Sequence, residues 1–487
     1  MNSIKNFILC FTILFVLFCI LNANGQEKII LGSDQEDMAH ALTMFEGKYY
    51  IFGTTRKDAK SAKDYYLIQL RSNGSVERKI TIEIPKHDVG NQVLVDEQGI
   101  FILGSTFDSG FQNVDMQMIK IDDNGEKEWG KFFGTQYQDL GFNFIRTRDG
   151  GFAMIGFSNS QIDGGDFYCV KTDNMGNVEW EKLFGPPNVD YGFSLVENED
   201  GDFLFVGTKN GFYNPTQTEF STHDADIMIV KIDKYGDEIW TKTYGGEGHD
   251  WAKDIIAAPG GGYFLSGSMQ SYGEGSFDVF LMKIDEDGNE LWIKTFGGAE
   301  YDYGEKLQMC EDGNICISGT SASFSENLNP DHFIVKTDEF GNEIWTKILD
   351  SGGSDYSSGL VATPDSGIVF TGWNTAGEIG KTDIVFYKLS KNGETEIISS
   401  ISPFDSVRSV IIYPNPAKQY FTIEVISPIN EKLDFILLDL FGRKVLKKKI
   451  ETNEKNEIRN RNKNGIYFYK VESKNGLIQT GKLIIQN

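Results

Sequence analysis

The strongest constraint on this chain is a unit that recurs seven times. Five copies are nearly alike: IKIDDNGEKEWGKFFG ends at Gly134, VKTDNMGNVEWEKLFG at Gly185, VKIDKYGDEIWTKTYGG at Gly246, MKIDEDGNELWIKTFGG at Gly298 and VKTDEFGNEIWTKI at Ile348. Weaker copies surround Gly74 and Gly393. The turn glycines Gly74, Gly125, Gly176, Gly236, Gly288, Gly341 and Gly393 lie 51, 51, 60, 52, 53 and 52 residues apart. A single unit of this length cannot bury its own apolar face, so it must stack on neighbours or close into a ring.

Each unit contains four short strand signals. The first follows an Asp, as in DLGFNFI, DYGFSLV, DWAKDIIA and DYGEKLQM. The second is a glycine-led apolar run such as GGFAMIGF or GGYFLSGS. The third opens on another Asp and runs into Lys-Ile-Asp, and the fourth holds a Trp. Four antiparallel strands per repeat make a propeller blade. The expected fold is therefore all-β: a seven-bladed β-propeller over residues 26–402, then a small immunoglobulin-like β-sandwich over 403–487. The strand-like segment Glu27–Gly32 has no blade of its own, and Glu394–Ile401 lacks the Trp. One of the two is expected to close the wheel beside the third strand of blade seven, which removes two exposed edges.

The turn before the Trp has a local cause. Asp122/Gly125, Asp173/Gly176, Asp233/Gly236, Asp285/Gly288, Asp338/Gly341 and Ser390/Gly393 have the spacing of a type I turn closed by a glycine. Asp285, Asp287 and Asn289 resemble the start of a calcium loop, but no Glu follows at the distance such a loop needs. Trp129, Trp180, Trp240, Trp292 and Trp345 each follow the turn glycine by four residues. There they can cover the hairpin and pack on the adjacent blade. This resembles the docking motif of quinoprotein-type propellers, with one residue fewer between Asp and Gly. It implies blade packing and no quinone. It is also similar to the Asp-box of sialidases, again with different spacing. Only Arg56, Arg71, Arg78, Arg146 and Arg148 precede residue 402, so the arginine cluster of a sialidase is not supplied.

The ends of the chain differ from the repeats. Lys5, the apolar run Phe7–Leu21 and the small-residue stretch Ala23-Asn24-Gly25 read as a signal peptide over 1–25. No stretch of the mature chain is apolar enough to span a bilayer. Residues 403–487 hold 15 Lys and Arg against 9 Asp and Glu, whereas the whole chain holds 46 against 71. That split marks two domains with different tasks, and the acidic body argues against a nucleic-acid partner.

In the basic part, Tyr413-Pro414-Asn415-Pro416 is followed by LLDLFGRKV, with Asp439, Gly442 and Arg443. NGIYFYKV follows, with Gly465 and Tyr467, and then GLIQTGKLIIQN, with Lys482. These segments resemble the type A C-terminal sorting domain of the type IX secretion system. The resemblance implies Sec export, passage through the outer membrane of a Bacteroidota-type bacterium, and partnership with the type IX machinery. It implies a cargo that is released or held at the cell surface. A carbohydrate-binding sandwich is the alternative reading of the same segments.

Strand polarity places the starts of strands one and three on one rim. Both carry Asp in every unit. The strand-one set is Asp37, Asp88, Asp139, Asp190, Asp250, Asp302 and Asp355. The strand-three set is Asp64, Asp115, Asp166, Asp226, Asp278, Asp331 and Asp383. An acidic funnel could hold a cation or a polyhydroxylated ligand. A carboxylate that accepts backbone N–H groups once per blade is the more economical reading. The loops between strands two and three open on the same rim and vary in length, the longest spanning 208–225. Phe212, Tyr213, Phe220, Tyr272, Phe324 and Trp373 on these loops offer faces for a glycan or protein ligand.

No catalytic constellation emerges. His40, His87, His223, His249 and His332 show no metal-ligand spacing, and no metal or cofactor is expected. Acidic pairs abound, so a glycosidase-like carboxylate dyad remains the rival to a binding or scaffold role. A purely structural surface component is a third reading. Cys169, Cys310 and Cys316 read as small buried hydrophobes, with a Cys310–Cys316 bridge as the alternative.

Overall fold

The repeats form a wheel because each four-stranded sheet finds its apolar partner only in the next sheet. In the computed structural model, described residues run from 25 to 486, apart from 27, 57, 59–61, 84–86, 108–113, 162–163, 187–188, 211–224, 326–327, 397, 400–408, 427–431, 441, 461–462 and 474–475. The chain divides into two compact units, 1–400 and 401–487. Among the described residues all regular elements are strands.

Six blades are antiparallel sheets whose four strands follow chain order, such as Asp250–Ala257, Tyr263–Met269, Asp278–Ile284 and Glu290–Phe296 in blade five. Blade seven draws on both ends of the propeller. Asp355–Ala362, Ile368–Asn374 and Asp383–Leu389 supply three strands, and Lys28–Leu31 supplies the fourth. Lys28 stands opposite Tyr387 and Leu31 opposite Ile384. Ile29 and Leu31 are buried there. The segment after the seventh turn gives one bridge, Leu389 with Thr395, before the N-terminal strand takes over. Farther on, Ile398–Ser399 pairs with Gly25–Gln26.

Apolar clusters lie between blades. Leu204, Val206 and Ile229 of blade four pack with Ala252, Leu265 and Phe280 of blade five. Burying one such side chain is worth about 1.5–3 kcal/mol relative to leaving it exposed. Strand one of every blade lines a central cavity of ≈ 400 Å³, touched by Leu42, Val93, Phe144, Leu195, Ile255, Leu307 and Leu360. At one point in each strand one the register shifts, between Ala39/Ala41, Gly90/Gln92, Gly141/Asn143, Gly192/Ser194, Ala252/Asp254, Gly304/Lys306 and Ser357/Gly359. A bulge re-aims the side chains after it. Here it starts a relay between blades. Gln92 Nε2 donates to Asn143 Oδ1 (3.0 Å), Asn143 Nδ2 to Ser194 Oγ (3.1 Å), and Ser194 Oγ to Asp254 Oδ1 (2.6 Å).

The Trp of each strong repeat does what its position suggests. A Cβ on Gly176, Gly236, Gly288, Gly341 or Gly393 would strike Trp129, Trp180, Trp240, Trp292 or Trp345 of the preceding blade. The turn glycine is thus required twice: its φ is positive in all five, and the indole lies on its bare Cα. Trp180 Nε1 also donates to the Lys234 carbonyl (3.1 Å), and Trp345 Nε1 to that of Lys391 (3.0 Å). Cys169, Cys310 and Cys316 are buried free thiols.

The second unit is a two-sheet sandwich. Ser409–Tyr413, Tyr420–Ile426 and Lys455–Arg459 form one sheet. Lys432–Leu438, Lys444–Glu451, Gly465–Ser473 and Gly476–Ile485 form the other. Phe421, Ile423, Phe435, Leu437, Tyr469 and Leu483 meet in one core between them.

Candidate functional site

The two Asp positions of the repeat meet at the blade junctions. Asp37, Asp139, Asp190, Asp250, Asp302 and Asp355 are 0% exposed. The Asp88 side chain lies outside the described residues. Five of the six described groups accept the backbone N–H four residues upstream. Ser33 N donates to Asp37, Thr135 N to Asp139 (2.6 Å), Gly246 N to Asp250 (3.2 Å), Gly298 N to Asp302 (2.8 Å) and Ser351 N to Asp355 (2.7 Å). Asp190 instead accepts from Asn210 N (2.9 Å). Each of these contacts fixes a loop at the start of strand one.

The strand-three Asp of the preceding blade lies beside them. A Cβ built on Gly185 would touch both Asp190 and Asp166, one on Gly245 both Asp226 and Asp250, and one on Gly297 both Asp278 and Asp302. Crowded, desolvated carboxyls resist ionisation. Burial raises Asp190 to about 7, and the Asp166 carboxylate adds to the rise. Asp278 is raised to about 6, first by burial and then by Asp302. Burial likewise raises Asp139, Asp166 and Asp331.

Beside this ring lie aromatics, of which Tyr191 is buried, Trp251 and Tyr303 are half-buried and Tyr356 is exposed. The residue after the strand-one Asp is Tyr191, Trp251, Tyr303 or Tyr356 in blades four to seven. Trp251 packs on Phe277 (4.8 Å between centroids) and Tyr303 (5.9 Å), and Tyr303 stacks on Tyr301 (5.3 Å). Tyr356 stacks on Trp373 at 4.3 Å and 22°. Tyr191 stacks on Phe157 (4.5 Å). Phe142 meets Phe193 at 5.4 Å, with Lys253 Nζ 4.0 Å from the Phe193 ring.

The loop aromatics singled out in the sequence divide. Phe212, Tyr213 and Phe220 lie outside the described residues. Tyr272 is exposed on blade five, Phe324 packs on Phe333 of blade six, and Trp373 belongs to the Tyr356 stack of blade seven. The strand-one aromatics were the members that loop reasoning missed. Their signal was already visible in DYGFSLV, DWAKDIIA, DYGEKLQM and DYSSGLVA.

In the sandwich, the proline-flanked turn is tied to the last strand through one side chain. Asn415 Nδ2 donates to the Lys482 carbonyl (3.0 Å), and Ile484 N donates to Asn415 Oδ1 (2.9 Å). Gly442 N donates to the Asp439 carbonyl (2.9 Å), and Arg443 Nε donates to Asp439 Oδ2 (2.8 Å). Tyr467 OH donates to the Lys463 carbonyl (2.8 Å), and Gly465 opens the strand that carries it. Tyr413-Pro414 and Asn415-Pro416 are both cis.

Residues 411–486 match the secretion system C-terminal sorting domain family. The sorting domain marks a type IX export substrate, delivered to the cell surface or released. Its turn residues Asn415, Asp439, Gly442 and Arg443 hold the family's segments in place through the contacts just given.

The chain has more distant likenesses. Over 187 residues the chain is 25% identical to the regulatory protein FlaEY of Caulobacter vibrioides, covering 32% of this chain and 20% of that one. The chain thus spans about a fifth of that curated relative's length. The puromycin hydrolase crystal structure is similar over 81% of this chain and 59% of its own, at 10% identity and TM-score 0.48. The β-propeller domain of the trilobed protease of Pyrococcus furiosus is similar over 76% and 99%, at 12% identity and TM-score 0.42. Among the described residues no helix is long and apolar enough to cross a membrane.

Proposed function

We propose that the propeller is an exported binding module that takes a glycan on the rim bearing the strand-two-to-three loops. In this reading residues 1–25 act as a signal peptide for Sec export, and the chain crosses the outer membrane of a Bacteroidota-type bacterium. The supporting observation is the series of aromatics at the starts of strand one in blades five to seven, half-buried at Trp251 and Tyr303 and exposed at Tyr356, joined by Trp373. Stacked rings with one open face suit sugar rings, and nearby Asn, Ser and Asp groups can fix orientation. The 208–225 loop would add Phe212, Tyr213 and Phe220.

The rival glycosidase-like reading needs a carboxyl that reaches substrate. The described strand-one aspartates are sealed from solvent and already accept backbone hydrogen bonds. That favours binding over hydrolysis. A glycan array with the full-length mature protein tests the reading. Replacing Tyr356 and Trp373 together by Ala is expected to weaken binding at least tenfold, with the melting temperature lowered by only a few degrees. Release of new reducing ends would support the enzyme instead. No glycan binding at all would leave the structural surface component.

A further inference from the structure

The blade junctions differ at one position in a way that changes their charge. At five junctions the residue five positions before the strand-one Asp is a glycine: Gly32, Gly134, Gly185, Gly245 and Gly297. A Cβ on any of them would come within 3.0 Å of a junction carboxylate oxygen. Between blades one and two the same position is Glu83, and between blades six and seven it is Asp350. The Asp350 carboxylate joins Asp331 of strand three and Asp355 of strand one. One oxygen from each of the three lies within 4.8 Å of the others.

A second feature faces one member of this cluster, Asp355. His332 is fully buried between the blades, with no hydrogen-bond partner at Nε2. Nδ1 lies 3.0 Å from Ser357 Oγ, and Nε2 lies 3.8 Å from Asp355 Oδ1. With the Nδ1 proton on Ser357, the Nε2 lone pair faces a carboxylate. Two lone-pair donors facing each other repel unless a proton or a cation lies between them. Donors each about 2.0–2.3 Å from one ion stand roughly 3–4.5 Å apart, a range that includes the 3.8 Å between Nε2 and Asp355 Oδ1.

The other positive group nearby does not answer the charge. Lys28 Nζ donates to the Ser351 carbonyl (2.8 Å) and pairs with Glu378 (3.1 Å). Asp355 is already bonded by Ser351 N and Ser351 Oγ, which orients it. Asp350 is exposed, so the cluster opens to solvent on one side.

We propose that Asp331, Asp350 and Asp355, with His332 Nε2 as a fourth donor, form a divalent-cation site that joins blade six to blade seven. Three carboxylates and one imidazole suit Mn²⁺ or Zn²⁺ better than Mg²⁺, which prefers oxygen and water ligands. The ion would sit at the blade that the N-terminal strand completes, so it would reinforce ring closure.

The test uses the full-length mature protein, stripped with a chelator and titrated separately with MnCl₂, ZnCl₂, CaCl₂ and MgCl₂. One equivalent of Mn²⁺ or Zn²⁺ is expected to bind with micromolar or tighter affinity by calorimetry and to raise the melting temperature by several degrees. Asp350→Gly restores the arrangement of the five glycine junctions, so it should fold, keep the melting temperature of the stripped protein and lose the ion-dependent rise. His332→Gln should weaken Mn²⁺ or Zn²⁺ at least tenfold. If Asp350→Gly folds poorly, Asp350→Asn makes the same test at nearly constant volume. The site is overturned if no ion at 1 mM shifts the melting temperature of the wild-type protein, or if both Asp350 variants bind as tightly as wild type.

Discussion

The propeller and the sorting domain use the same turn for different ends. Asp285 and Gly288 close a hairpin in blade five, and Asp439 and Gly442 close one in the sandwich, each with the glycine N–H donating to the Asp carbonyl. In the propeller the turn glycine is covered by Trp240 of the preceding blade. In the sandwich a Cβ on Gly442 would meet nothing, and Arg443 folds back on Asp439 at the surface. The first turn is a docking surface in a ring of equivalent contacts. The second is a free hairpin in a domain with one core. Repetition makes each blade depend on its neighbours, so the ring fails at its seam. The sandwich is self-contained, so its removal should cost delivery and not folding.

The largest effect expected from this contrast is on location. A chain lacking residues 408–487 should keep a folded propeller, with far-ultraviolet spectrum and melting temperature close to those of the intact protein, and should lose surface delivery completely. Cell fractionation reads this directly, and normal surface delivery of the truncated chain would reject the division of labour.

Next in size is the seam. Ile29 and Leu31 are the buried pair that attaches the N-terminal strand to blade seven. Replacing both with Asp puts charges into an apolar cluster and frees two sheet edges. The expected loss is about 3–5 kcal/mol, with aggregation on heating. The same double change at exposed Ile239 and Ile344 should cost well under 1 kcal/mol, and chemical denaturation compares the two.

The smallest effect concerns pH. Asp190 and Asp278 titrate near 7 and 6 when folded, above the ordinary value near 4. A carboxyl raised on folding adds stability that is fully present below about pH 4 and is lost as the pH rises through its folded value. The propeller should therefore melt about 2–4 °C higher at pH 5 than at pH 8. Asp190→Asn should flatten that slope, and an unchanged slope would show that the junction carboxyls ionise freely. The sorting domain shows the opposite sign at Asp434, whose carboxyl is lowered chiefly by its hydrogen bond to Lys449, with Lys447 adding to it.

The sequence was legible wherever one blade sufficed. The Asp-x-x-Gly turns, the bulge after them and the Trp on the neighbouring hairpin follow from local spacing, and all appear in the structure. Loop aromatics were a weaker guide. Trp373 finds its partner in Tyr356, a strand residue, because side chains at the start of strand one and the end of strand two share a face. Asp350 stands in a glycine's place by its spacing from Asp355, but only the fold shows which carboxylates it meets there.

By itself the sequence determined the number of blades, their strand order and the export tail, because each is written in periodic or contiguous residues. The tertiary structure alone decided three further things: that Lys28–Leu31 completes blade seven, that the aspartates meet in pairs across junctions, and that His332 faces Asp355. The physical reason is closure. Ring formation brings Lys28 against Tyr387 and sets the third strand of one blade beside the first of the next. Those contacts join residues from different blades, whose proximity no local pattern records.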